Sequence, residues 1–186
     1  MLFRELSFAV AAGQVLAIGG PNGSGKTSLL RMIAGFITPA AGTIRFSAEE
    51  EISDPDERAR LVGWLGHQDG AKPQLTPQEV LFFFARLYGR SVDVTAALRR
   101  AGLERCADLP CQYLSAGQKR RLALTRLAVL ARPLWLLDEP FAALDRAGKK
   151  YARDLIAAHG AAGGIALVAT HEPIGLTCEN LTLGEA

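Results

Sequence analysis

Nine consecutive residues, Gly20-Pro21-Asn22-Gly23-Ser24-Gly25-Lys26-Thr27-Ser28, have the types and spacing of a loop that cradles a phosphate chain. The glycines let backbone amides close around anionic oxygens, and a helix starting at the end of the loop adds a field favourable to anions. Lys26 is then placed to reach the β and γ phosphates, and the Thr27 hydroxyl to ligate magnesium. Two adjacent acids, Asp138 and Glu139, follow the apolar run Leu134-Trp135-Leu136-Leu137. At the end of a buried strand, Asp138 would hold magnesium directly or through water, and Glu139 would polarise an attacking water. A third group, Leu114-Ser115-Ala116-Gly117-Gln118, reads as a helix start. Ser115 caps it, Gln118 reaches back, and Gly117 allows close approach of a phosphate to the helix end. Taken alone, the same five residues fit an ordinary capping box. His171 stands just beyond another apolar run, Ile165-Ala166-Leu167-Val168-Ala169, and is either a site residue or a surface one.

The elements that must position these groups alternate between strand and helix. Strands are expected at residues 15–18, 42–46, 61–65, 134–137, 165–169 and 181–183, from short apolar runs bounded by glycine, proline or charge. A helix is expected after the phosphate loop, stopping near Gly35 and Pro39, and another near residues 147–159. Thr76 followed by Pro77 and Glu79 starts a helix with a capping box. A second helix covers about 93–101 and ends at Gly102, while the charged stretch 49–60 is either a loop or a surface helix. The expected fold is therefore α/β. Its core spans 1–65 and 115–186, and a small, mostly helical subdomain occupies 66–114. In the run Val80-Leu81-Phe82-Phe83-Phe84, residues are about 100° apart around a helix, so the three phenylalanines cannot all face one core.

Composition bounds the function classes. The chain has 186 residues, 49% hydrophobic and 22% charged, with a formal net charge of +2. That balance suits a packed domain and gives no general pull toward nucleic acid. Lys119, Arg120, Arg121, Lys149 and Lys150 read as solvated helix faces. The longest uncharged stretch, residues 6–25, is broken by Gln14, Pro21, Asn22 and glycines and does not read as a membrane span. No secretory signal is evident at the start. Cys106, Cys111 and Cys178 match no zinc or redox spacing and read as reduced thiols.

Taken in order, the phosphate loop, Leu114-Ser115-Ala116-Gly117-Gln118, Asp138-Glu139, Ala143-Leu144-Asp145 and Thr170-His171 resemble the ABC ATPase family over nearly the whole chain. The resemblance implies a P-loop NTPase core of ABC type using ATP and Mg2+. It implies a homodimer in which Ser115 and Gly117 of one copy contact ATP held by the phosphate loop of the other. It also implies that Asp145 lies in a loop crossing the dimer interface, and that His171 is a switch residue reaching the γ phosphate and helping to place Glu139 and water. The family's γ-phosphate-sensing glutamine aligns with His67, and the neighbouring Gln68 is the alternative. The family's first strand, with its adenine-stacking aromatic, falls before Met1 by spacing from Gly20. An N-terminal strand is thus expected to be missing, with Phe3 or Phe8 as partial substitutes and Phe8 favoured for the core.

A narrower resemblance is carried by Gly66-His67, Lys72-Pro73-Gln74-Leu75-Thr76, Lys119-Arg120-Arg121, the stretch around Pro133-Leu134-Trp135, and Thr170-His171-Glu172-Pro173. These are similar to the ATP-binding subunits of cytochrome c maturation (haem exporter) systems, the CcmA family. That resemblance implies a peripheral subunit on the cytoplasmic face of a bacterial inner membrane. Two copies would pair with an integral membrane subunit of the CcmB type, and hydrolysis would drive release of a haem-loaded chaperone. Direct haem contact is not expected, because no Cys-x-x-Cys-His occurs, and neither is direct nucleic-acid binding. The alternatives are an ATPase subunit of another ABC transporter, a non-transport ABC ATPase acting on DNA or ribosomes, and a catalytically silent subunit.

Overall fold

The computed structural model describes residues 4–46, 55–68 and 70–184. Phe3, and residues 49–54 of the charged stretch, lie outside the described residues. Five parallel strands form one sheet in the order β2-β3-β4-β1-β5. They are β1 (Val15–Gly19), β2 (Val62–Leu65), β3 (Leu134–Asp138), β4 (Ile165–Ala169) and β5 (Glu179–Thr182). The helices are α1 (Lys26–Ile33), α2 (Pro55–Leu61), α3 (Pro77–Leu87), α4 (Val94–Arg100), α5 (Ala116–Leu130) and α6 (Arg146–Ala161).

Strand alternation sorts the sheet's side chains into two layers. Leu16, Ile18, Leu134, Leu136, Leu167 and Ala169 face α1 and pack with Leu29, Leu30 and Ile33. Val15, Ala17, Trp135, Leu137, Ala166 and Val168 face the opposite side and meet Leu124 and Leu127 of α5 and Ile156 of α6. The central strands are covered on both faces, which is why they read as unbroken apolar runs. A second apolar cluster joins Val80, Leu81 and Ala85 of α3 and Val94, Ala97 and Leu98 of α4 to Leu122 and Val129 of α5. Truncating a buried leucine such as Leu81 or Leu127 would cost about 2–5 kcal/mol.

The helix starts are built as their sequences indicate. Thr76 and Ser115 each cap a helix through a complete capping box, with Glu79 and Gln118 reaching back. Asp93 caps α4 by accepting from Ala96 N at 2.9 Å. Three expectations are corrected. Among the described residues 42–46 no strand of the sheet forms, and Ile44 and Phe46 pack on the cluster beneath α1. Phe8 is not a core residue but 38% exposed, because no strand precedes β1 among the described residues to carry it inward. The last strand runs over 179–182 and not 181–183, set by its pairing of Leu16 with Glu179 and Gly19 with Thr182.

Candidate active site

All five strands point the same way, so their carboxyl ends gather the candidate residues along one edge. At the end of β1, Gly20 has φ 131°, and a Cβ there would lie 2.4 Å from the Leu183 carbonyl oxygen. Only glycine meets both conditions, so the loop is able to turn tightly against the segment following β5. Gly25, at φ 100°, then starts α1. Lys26 is 8% exposed, and its ammonium donates to the Gly20 and Pro21 carbonyls at 2.7 and 3.0 Å. The ammonium is thereby held over its own loop.

Asp138 occupies an even-numbered position on β3, the parity that faces α1. Thr27 is the second residue of α1. Strand parity and helix start therefore converge, and the Thr27 hydroxyl donates to Asp138 Oδ2 at 2.9 Å. Hydroxyl and carboxylate are hard oxygen donors of the kind magnesium takes. Among the described residues no group of three or more His, Cys, Asp or Glu could hold a metal ion. The Thr27–Asp138 pair is instead a partial ligand set, which phosphate oxygens and water complete in nucleotide sites. It fits a magnesium ion that arrives with its nucleotide.

Glu139 is next to Asp138 but its backbone is left-handed, at φ 49°. Its amide donates to the Ala169 carbonyl at 2.8 Å, which extends the β3–β4 ladder by one bond. Its side chain is 16% exposed, and Oε1 lies 3.0 Å from His171 Nδ1. His171 itself is 63% exposed, so its ring stands at the surface with Glu139 behind it. Glu172 pairs with Lys149 of α6 at 2.5 Å, which holds its carboxyl below the usual carboxylate range and ties the His171 loop to α6.

The remaining candidates are spread along the same edge. His67 and Gln68 are both exposed just beyond β2. Ser115, Gly117 and Gln118 form the start of α5, which packs on the sheet face opposite α1. A Cβ on Gly117 would lie 2.7 Å from the Ala143 carbonyl oxygen, so glycine is needed there by this chain's own packing. Asp145 caps α6, accepting from Gly148 N at 2.7 Å.

Arg120 departs most from expectation. It is 4% exposed and not part of a solvated face. It lies on the same stripe of α5 as Ala123, Leu124 and Leu127, spaced three, four and seven residues on. That stripe was the available signal, and the charge masked it. The guanidinium donates to the carbonyls of Gly66, Asp138 and Glu139 at 2.7, 2.5 and 2.7 Å. Arg121 is also engaged, donating to the Ala101 carbonyl at 2.8 Å.

A parallel sheet with a phosphate loop at β1 and paired acids at the end of β3 defines a P-loop ATPase. The ABC transporter profile matches residues 3–142, and the chain belongs to that family, as an ATP-binding and ATP-hydrolysing member. It is 46% identical over 186 residues to the cytochrome c biogenesis ATP-binding export protein CcmA of Rhodopseudomonas palustris (strain BisB5), covering 100% of this chain and 92% of that protein. It is also 46% identical over 183 residues to the CcmA of Paramagnetospirillum magneticum (strain ATCC 700264 / AMB-1), covering 95% and 83%. Among solved structures, an ATP-binding subunit of an ABC transporter superposes with a TM-score of 0.85 at 26% identity, covering 98% of this chain and 79% of that one. The dimeric post-hydrolysis state of the ATP-binding cassette MJ0796, bound to ADP and Pi, gives 0.82 at 25% identity, covering 98% and 86%. Among the described residues no helix is long and apolar enough to cross a membrane.

Proposed function

We propose that this chain is the ATP-hydrolysing subunit of a cytochrome c maturation (haem export) complex, working as a homodimer on an integral membrane subunit of the CcmB type. The observation that carries the hydrolytic part is the meeting of Thr27 with Asp138 at 2.9 Å and of Glu139 with His171 at 3.0 Å along one edge of the sheet. Residues 20–28 bind the phosphates, and Lys26 compensates charge on the β and γ groups. Thr27 and Asp138 would hold magnesium, directly or through water, and the ion would supply charge neutralisation on the phosphate oxygens. Glu139 accepts a proton from the attacking water as its oxygen bonds to the γ phosphorus and the bond to the bridging oxygen of ADP breaks. His171 holds Glu139 in orientation and reaches the γ phosphate. His67 senses the γ phosphate, with Gln68 as the alternative.

Helix α5, capped by Ser115, and helix α1, which follows the phosphate loop, pack on opposite faces of the sheet. That separation favours a reading in which Ser115, Gly117 and Gln118 close over ATP held by a second copy, with Asp145 in the loop between them. The CcmA-named relatives support the assignment to cytochrome c maturation. A peripheral location on the cytoplasmic face of a bacterial inner membrane follows from it. Phe82 and Phe83 of α3, 46% and 55% exposed, supply the apolar contact to the membrane subunit.

The test is magnesium-dependent ATP turnover with Lys26→Ala and Glu139→Gln. Lys26→Ala should weaken nucleotide binding. Glu139→Gln should bind ATP normally, lose most turnover and accumulate as an ATP-bound dimer. Wild-type turnover in Glu139→Gln would remove that residue from the role of base. Failure to co-purify with a CcmB-type subunit, with turnover intact, would point instead to another ABC transporter.

A further inference from the structure

We infer that Arg120 is a positioning residue for the hydrolytic centre, fixing the backbone of Glu139 and the entry to the His67 loop to the helix that begins at Ser115. The inference rests on the reading that Glu139 activates water. It starts from three carbonyls. Gly66 follows β2, Asp138 ends β3 and Glu139 follows it, and β2 and β3 are neighbours in the sheet. At such ends the ladder stops, and buried carbonyls need donors from elsewhere. Arg120 supplies them to all three, at 2.7, 2.5 and 2.7 Å, from a side chain 4% exposed.

Glu139 has particular need of this. Its φ of 49° lies in the left-handed region, which a non-glycine residue keeps only when its surroundings enforce it. Three bonds do so. Its amide donates to Ala169 O at 2.8 Å, and its carbonyl accepts from Ala142 N at 3.1 Å and from Arg120 at 2.7 Å. With both peptide groups held, the carboxylate is left aimed at His171. A lysine is a point charge on a flexible stem, and a neutral amide has fewer donors; the planar guanidinium presents a fixed fork to several acceptors at once.

Arg120 stands five residues beyond Ser115 on the same helix. A helix moves as a rigid body over that distance. Any shift at the start of α5 on engaging a nucleotide is therefore delivered to the carbonyls of Glu139 and Gly66 in the same chain. Hydrolysis by a chain's own Glu139 becomes sensitive to whether its own α5 is engaged on the opposing nucleotide.

The test uses the full chain assembled with its membrane subunit, comparing Arg120→Gln and Arg120→Lys with wild type and Glu139→Gln. MgATP turnover, equilibrium binding of a fluorescent ATP analogue, circular dichroism and melting temperature are measured. Arg120→Gln should keep its fold and nucleotide affinity and lose kcat by about 10- to 100-fold, the scale of an ångström-sized misplacement of a catalytic group. Arg120→Lys should fall between it and wild type. A kcat within about twofold of wild type in the folded variants, or equal losses of affinity and kcat, would overturn the inference. So would loss of fold in both variants, which would assign Arg120 to stability alone. Normal turnover in Glu139→Gln would instead undo the underlying reading, independently of how the Arg120 variants behave.

Discussion

Replacing Gly117 with alanine separates two reasons for a glycine at that position, close approach of a phosphate and packing within the chain. The added Cβ would stand 2.7 Å from the carbonyl oxygen of Ala143. A relaxed C···O contact is about 3.3 Å, so helix and loop must part by about 0.6 Å. The obstacle is backbone, and Ala143 is itself left-handed at φ 60°, so it has little freedom to turn away. Overpacking of this kind costs about 1–3 kcal/mol. Against it, alanine gains up to about 1 kcal/mol over glycine as a helix former. The steric term should win, leaving a net loss of about 1–2 kcal/mol. For a domain of this size each kcal/mol lowers Tm by about 2–4 °C, so a fall of about 2–8 °C is expected. The assay is thermal unfolding of the nucleotide-free chain, where no phosphate is present to clash. Ser115→Ala is the control: it removes the cap on Gln118 N, at 3.2 Å, and costs about 1 kcal/mol without steric conflict. An unchanged or raised Tm in Gly117→Ala would refute the packing argument and leave phosphate approach as the reason for the glycine.

His67→Ala should reduce turnover of the assembled complex more than Gln68→Ala; the reverse order would make Gln68 the sensor. Phe83→Ser, at the most exposed of the three phenylalanines, should lose co-purification with the membrane subunit while keeping fold and basal turnover. Unchanged co-purification would remove Phe83 from that interface, and unfolding would return it to the core. His159 stacks on Trp135 at 4.0 Å and 5°, and burial pushes its pKa below the ordinary histidine value. The unfolded chain therefore takes up this proton more readily, so the stabilisation is complete above about pH 6.5 and is lost as pH falls toward the folded pKa, by at most about 1.36 kcal/mol per pH unit. Urea unfolding between pH 8 and 5 should show a shallower loss for His159→Gln than for wild type; parallel curves would refute it.

Sequence alone pointed to most of the elements and to the candidate site residues. Phosphate-loop spacing, apolar runs ending in acids and two capping boxes are local signals, written in neighbouring residues and readable from propensity and period. The segment 42–46 shows the limit: its pattern suited a strand, but it joins none of the five strands of the sheet, and Ile44 and Phe46 pack on the cluster beneath α1. Tertiary structure decided which groups meet. The parity of β3 turned Asp138 toward Thr27, across 111 residues of chain, and a left-handed backbone turned Glu139 toward His171. Arg120 is the clearest case. A lone arginine among basic neighbours reads as solvated, because charge is normally kept in water. The arrival of three strand-end carbonyls around one buried guanidinium favours its burial, and those carbonyls belong to segments 54, 18 and 19 residues away.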